Sequence, residues 1–176
     1  MFAFFSKLKG NRFLFAVLVL CVAVFIGCSS NLDDEADHTA DLPDGLIGIW
    51  ASAHDRYIIR ANNTFEYDAG WDASFTGVIV SVSNFSSDSG VIIVRYTSPP
   101  THNVWESDDP FYVSGHDYTG VYFRNLTSTT VQLANVINLS DWSSVDTRSR
   151  REAELKFTRD GANVFVGHWG TYTLQN

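Results

Sequence analysis

From Gly45 onward, apolar and polar positions alternate in short runs with the two-residue period of β-strands. Gly45 to Ser52 and Arg56 to Arg60 form a first pair about a turn at His54-Asp55. Asn62-Asn63 signals the next turn, and Thr64 to Asp68 follows with Phe65 and Tyr67 on one face. Ser74 to Phe85 alternates over its whole length, which predicts Val78, Val80 and Val82 on one face and Ile79, Ser81 and Ser83 on the other. Ser86 to Gly90 reads as a hairpin loop. Val91 to Thr97 is apolar at nearly every position in its first half, the mark of a strand buried on both faces. Thr119 to Asn125, Thr129 to Ile137 and Asn163 to Leu174 complete about eight strands, all rich in Val, Ile, Thr, Tyr and Phe.

One segment breaks the pattern. Thr147 to Phe157 spaces Arg150 with Glu154, and Glu152 with Lys156, at i,i+4, and predicts a short helix ending near Asp160-Gly161. Consecutive strands with tight turns and no alternating helices give an all-β, antiparallel domain, either a barrel or a β-sandwich. The up-and-down barrel is the preferred reading. Gly77, Gly120, Gly167 and Gly170 lie in or beside strands where closure needs bends, and neither the first nor the last strand has the polar texture of an exposed edge.

The first 44 residues differ in kind. Lys7, Lys9 and Arg12 precede a 14-residue apolar run, Phe13 to Ile26, and then Gly27-Cys28-Ser29-Ser30. A basic head, a short apolar stretch and small residues describe a signal peptide over residues 1–27, since a membrane-spanning helix needs about 20 apolar residues. With a cysteine directly after the cut, the segment resembles a bacterial lipoprotein signal, although Phe25 and Ile26 occupy places where Leu and a small residue are customary. The resemblance implies that Cys28 carries lipid and anchors the chain in the cell envelope. Ser29 in place of a retaining Asp points, by the same analogy, to the outer membrane. Residues 29–44 hold six acids and no base; with Cys28 they form an acidic tether, with a flexible reach of roughly 20 Å.

Charge and cysteine content narrow the classes further. Without residues 1–27 the chain keeps nine Lys and Arg against twenty Asp and Glu, a formal charge of −11. Such a surface argues against nucleic acid and anionic headgroups as partners. Cys21 leaves with the signal and Cys28 is taken by lipid, so the domain has no thiol for a disulfide, a zinc site or a nucleophile. Stability therefore rests on the core, to which the 19 of the chain's 25 aromatic residues that lie beyond residue 27 give bulk. The sequons at Asn62, Asn84, Asn125 and Asn138 read as strand and turn residues.

Gly48-Ile49-Trp50, at the head of the first strand, resembles the Gly-x-Trp signature of the lipocalin and calycin group. Residues 45–176 also resemble the lipocalin-like lipoproteins of spirochaetes such as treponemes, through Tyr122 to Thr127, Thr130 to Ala134, Arg151 to Glu154 and Gly167 to Tyr172. The resemblance implies an up-and-down barrel closed at one end by Trp50. It carries over no activity.

Chemistry is sparse. Ser114-Gly115-His116-Asp117 has the residue types of a hydrolase, but neighbours on extended chain face opposite ways. The histidines His38, His54, His102, His116 and His168 are scattered. His168 reads as a hydrogen-bonded histidine within the last strand, and His102 with His116, near Asp108, Asp109 and Asp117, is the best metal candidate of a poor set. No catalytic residue, metal or cofactor is expected. The long segment Ser98 to Tyr118 is the better lead: Trp105, Phe111, Tyr112 and Tyr118 suit a lid or contact surface at a barrel mouth, or equally an ordered flap over the core's end, with Trp142 beside it. The expected function is a lipid-anchored binding module for a small apolar or amphipathic ligand. The alternative is a structural or host-interacting surface lipoprotein with a solid core.

Overall fold

In a computed structural model of the chain, residues 40–69, 74–100, 115–137, 139 and 145–175 are described. Eight antiparallel strands form one closed barrel in chain order: β1 (Gly48–Ala51), β2 (Arg56–Ile59), β3 (Thr64–Asp68), β4 (Phe75–Ser86), β5 (Ser89–Ser98), β6 (Tyr118–Arg124), β7 (Thr130–Asn135) and β8 (Gly170–Gln175). β8 closes the ring on β1, with Trp50 opposite Leu174. The sandwich alternative is thereby excluded, and the closed up-and-down barrel is consistent with lipocalin-like architecture. Two short helices, α1 (Arg150–Lys156) and α2 (Ala162–Phe165), lie between β7 and β8, where a single helix was expected.

The core has two compartments separated by the barrel wall. Trp50, Tyr57, Ile59, Phe65, Ile79, Ile92, Val94, Val121, Phe123, Val131, Leu133 and Tyr172 fill the interior. Val80, Val91, Ile93, Tyr118, Tyr122 and Val136 face outward and are covered by Ala153 of α1, Phe157 just beyond its C-terminus, and Phe165 of α2. This explains the unbroken apolar run Val91 to Val94, since β5 meets the interior on one face and the helical segment on the other. Gly120 on β6 lets α1 come close: a Cβ there would stand 2.9 Å from the Phe157 ring.

α1 begins where its cap predicts. The Ser149 side chain accepts from the Glu152 N–H at 3.2 Å, and the Glu152 carboxylate reaches back to the Arg148 N–H at 3.0 Å. Arg150 and Glu154 pair at 2.9 Å as the spacing required. Lys156 instead donates to the Val145 carbonyl, at the edge of the aromatic cover. Ala153 and Phe157 are buried one helical turn apart while Leu155 is 73% exposed, so their apparent alternation is helical after all.

Three expectations need correction. The Val78, Val80, Val82 face does not exist, because the β4–β5 ladder shifts register between Ile79 and Ser81. Val80 turns to the outer compartment, while Val82 packs against the interior. The last strand starts at Gly170 rather than Asn163. Residues 162–165 form a helical turn, held by the Ile137 N–H donating to the Phe165 carbonyl at 2.9 Å. His168 consequently lies outside any strand and is exposed.

Candidate functional site

The two ends of the barrel are built differently. At one end the chain enters across the opening: Ala40, Leu42 and Leu46 pack on the interior core, and Asp44–Leu46 make a single 3-10 turn. Trp50 is fully buried and its indole Nε1 donates to the Leu46 carbonyl at 2.9 Å. Asn63, at the β2–β3 turn, donates to the Ala40 carbonyl and accepts from its N–H at 3.0 Å. Gly48 is required there, because a Cβ would collide with the side chain of Leu174. Gly48 and Trp50 sit at this end, with the chain's own entering turn as the partner of the indole.

At the other end the interior is not filled. A cavity of about 250 Å³ opens among Tyr57, Tyr67, Phe75, Tyr96, Leu133 and Tyr172, with Asp55, Thr119, Asn135, Asp146 and His168 among its polar lining. The aromatic rings are mutually packed: Tyr57 lies 4.7 Å from Tyr67 and 5.0 Å from Tyr172, and Phe75 lies 5.1 Å from Tyr96. Each comes from the mouth end of a different strand or strand end, at a position whose side chain points inward.

Asp55, in the β1–β2 turn, is the hub of this lining. Its Oδ2 accepts from the Tyr172 hydroxyl at 2.8 Å and from the Tyr67 hydroxyl at 3.0 Å, and Oδ1 accepts from Ser52. Ser52 Oγ in turn accepts from the N–H groups of His54 and Asp55, which fixes the turn. Burial pushes the Tyr57 hydroxyl well above the ordinary tyrosine range, and the neighbouring Tyr172, Tyr67 and Asp55 push the same way. Tyr172 is raised too, by burial first and then by its bond to the Asp55 carboxylate. Across the mouth, Tyr96 donates to Asp146 Oδ2 at 3.0 Å.

One polar atom in the cavity has no partner. Asn135 Oδ1, at the inward-facing end of β7, is buried and accepts no hydrogen bond. Natural folds seldom leave such an atom unpaired, because the lost hydration costs about 1–3 kcal/mol.

The sequence-predicted site residues are only partly found here. Trp105, Phe111, Tyr112 and Trp142 lie outside the described residues, as do His102 and Cys28. Tyr118 is not a loop residue. It begins β6, is 7% exposed, packs in the outer compartment, and exchanges both backbone bonds with Thr147 at 3.1 and 2.8 Å. His116 is engaged at both ring nitrogens: Nε2 accepts from Arg148 Nε at 3.0 Å, which leaves Nδ1–H to donate to the Asp146 carbonyl at 3.1 Å. Those bonds dock the segment before α1 onto the rim. Among the described residues no cluster of three His, Cys, Asp or Glu is placed to hold a metal, and no helix is long and apolar enough to cross a membrane.

Asp55 and Asn135 were missed by the sequence reading, which took one for a turn and the other for an ordinary strand residue. The available signal was the recurrence of Tyr or Phe at the same level of the barrel, at positions 57, 67, 75, 96 and 172. No family model, curated protein or solved structure matches this chain.

Proposed function

We propose that the protein is a lipid-anchored cell-envelope binding module, holding a small amphipathic ligand in the mouth-end cavity of the barrel. The observation that carries this is the pairing of an aromatic cavity of about 250 Å³ with an unsatisfied acceptor, Asn135 Oδ1, inside it. Small-molecule sites have this composition: mostly apolar walls with a few polar groups that fix orientation. An eight-stranded barrel is of the size that side chains can fill or that holds one small ligand, and here the filling stops short of the mouth. No catalytic role is assigned to any residue.

Native mass spectrometry of protein taken from its own cells tests the reading. A retained small molecule is expected; a clean ligand-free mass, even after gentle extraction, would favour the surface lipoprotein with no ligand. The anchor has its own test. Cys28→Ser is expected to move the protein out of the membrane fraction, because the apolar run is too short to remain as a span. Persistence of a cleaved Cys28→Ser protein in that fraction would require another anchor.

A further inference from the structure

The cavity's polar lining offers acceptors and negative charge with very little to balance them, and this selects among amphipathic ligands. The protons of three mouth tyrosines are already committed: Tyr67 and Tyr172 donate to Asp55, and Tyr96 donates to Asp146. A hydroxyl that has donated its one proton presents only lone pairs to a ligand. Asn135 Oδ1 presents an acceptor as well. The Asp55 carboxylate adds a negative charge at the cavity wall, and among the described residues no Lys or Arg lines the cavity. Of the basic residues on the connection that carries Asp146, Arg148 donates to His116 and Lys156 to the Val145 carbonyl, and neither is part of the lining.

A ligand that satisfies such a lining brings donors, brings few acceptors, and tolerates aromatic walls. An anion meets Asp55 and acceptor lone pairs. A neutral alcohol brings one donor, but with it an oxygen for which the lining has few free donors. An ammonium group is three donors with no acceptor and a positive charge, and it is attracted to aromatic faces within about 6 Å. The cavity is small, so the rest of the molecule is limited to roughly one ring and a short linker.

We infer that the ligand is an organic cation: a primary or substituted amine on a compact apolar or aromatic body, its ammonium bound between Asp55, Asn135 Oδ1 and the tyrosine ring cluster. The inference rests on the binding reading above and specifies its substrate class.

Three probes of matched shape test it by calorimetry on the detergent-extracted, ligand-stripped mature protein: phenethylamine, 2-phenylethanol and 3-phenylpropionate. The amine is expected to bind at least about tenfold more tightly than the alcohol, the acid not measurably, and only the amine is expected to weaken with added salt. Asp55→Asn should lower the amine's affinity about tenfold and leave the alcohol's unchanged. Because Asp55 also holds the β1–β2 turn, Asn135→Asp supplies an independent variant, in which the amine should gain about tenfold in affinity. Equal or tighter binding of the alcohol or the acid would overturn the cation assignment and leave the binding module standing. So would a retained native ligand that is neutral or anionic. Failure of all three probes, together with a ligand-free native mass, would overturn both.

Discussion

The closed end and the mouth of this barrel are made from the same strands and solve opposite problems. At the closed end every device removes freedom: the entering chain crosses the opening, the Trp50 indole is tied to Leu46, and Asn63 pairs twice with Ala40. At the mouth the aromatic side chains stop short of filling the interior, and a buried acceptor is left without a partner. The contrast teaches a division of labour. Packing density at one end supplies the stability that lets the other end remain incomplete.

The most severe way to break that contrast is at Trp50. Trp50→Ala should lower stability by about 3–5 kcal/mol, through the cavity it leaves and the Leu46 carbonyl it strands. Urea unfolding of the mature protein measures it; an unmoved midpoint would mean that the closed end is not the structural anchor.

Alkali should attack the other end. Tyr57 and Tyr172 at the mouth, and Tyr122 under α1, all have their hydroxyl pKa raised, chiefly by burial. A raised folded pKa contributes stability that is complete below the unfolded value near pH 10 and is lost as pH climbs from there through the folded value. Each tyrosine therefore costs at most about 1.4 kcal/mol per pH unit in that window. Lys156, lowered chiefly by burial, acts in the opposite sense below its ordinary value, but it is one group against three. Tyrosinate absorbance should lag behind that of free tyrosine and rise together with unfolding. A double Tyr57→Phe, Tyr172→Phe variant should flatten the alkaline slope; an unchanged slope would place the sensitivity elsewhere.

The smallest effect on stability is the most informative about the mouth. Asn135→Leu removes an atom that is buried without a bond, so the unfolding midpoint should stay level or rise, by up to about 1 kcal/mol. Ligand retention should fall all the same. Marked destabilisation by Asn135→Leu would show that the side chain serves the fold, and that the two ends are less different than their packing suggests.

Much of the wall was legible in the sequence because local periodicity and burial agree there. Thr64 to Asp68 has the expected bounds, with Phe65 and Tyr67 facing inward, and the apolar run at Val91 reported two-sided burial before the covering helix was known. Periodicity failed where a tertiary contact overrode it. The bulge in β4 turns Val80 outward to meet the outer compartment, and residues 162–165 coil because the Phe165 carbonyl is taken by Ile137. The site was less legible for a different reason. Its members stand between positions 55 and 172, and only barrel closure makes Asp55, 117 residues before Tyr172, that tyrosine's hydrogen-bond acceptor. Asp55 looked like a turn residue because it is one; its second role needs β8 beside β1.

The crossing of the closed end by Ala40 to Leu46 also sets how the molecule can be presented. The first described residue, Ala40, stands at the plugged pole, and the ends of both β1 and β8 that face that pole lie beside it. An attachment made through the residues before Ala40 would therefore enter the barrel at its base, at the pole opposite the mouth-end cavity.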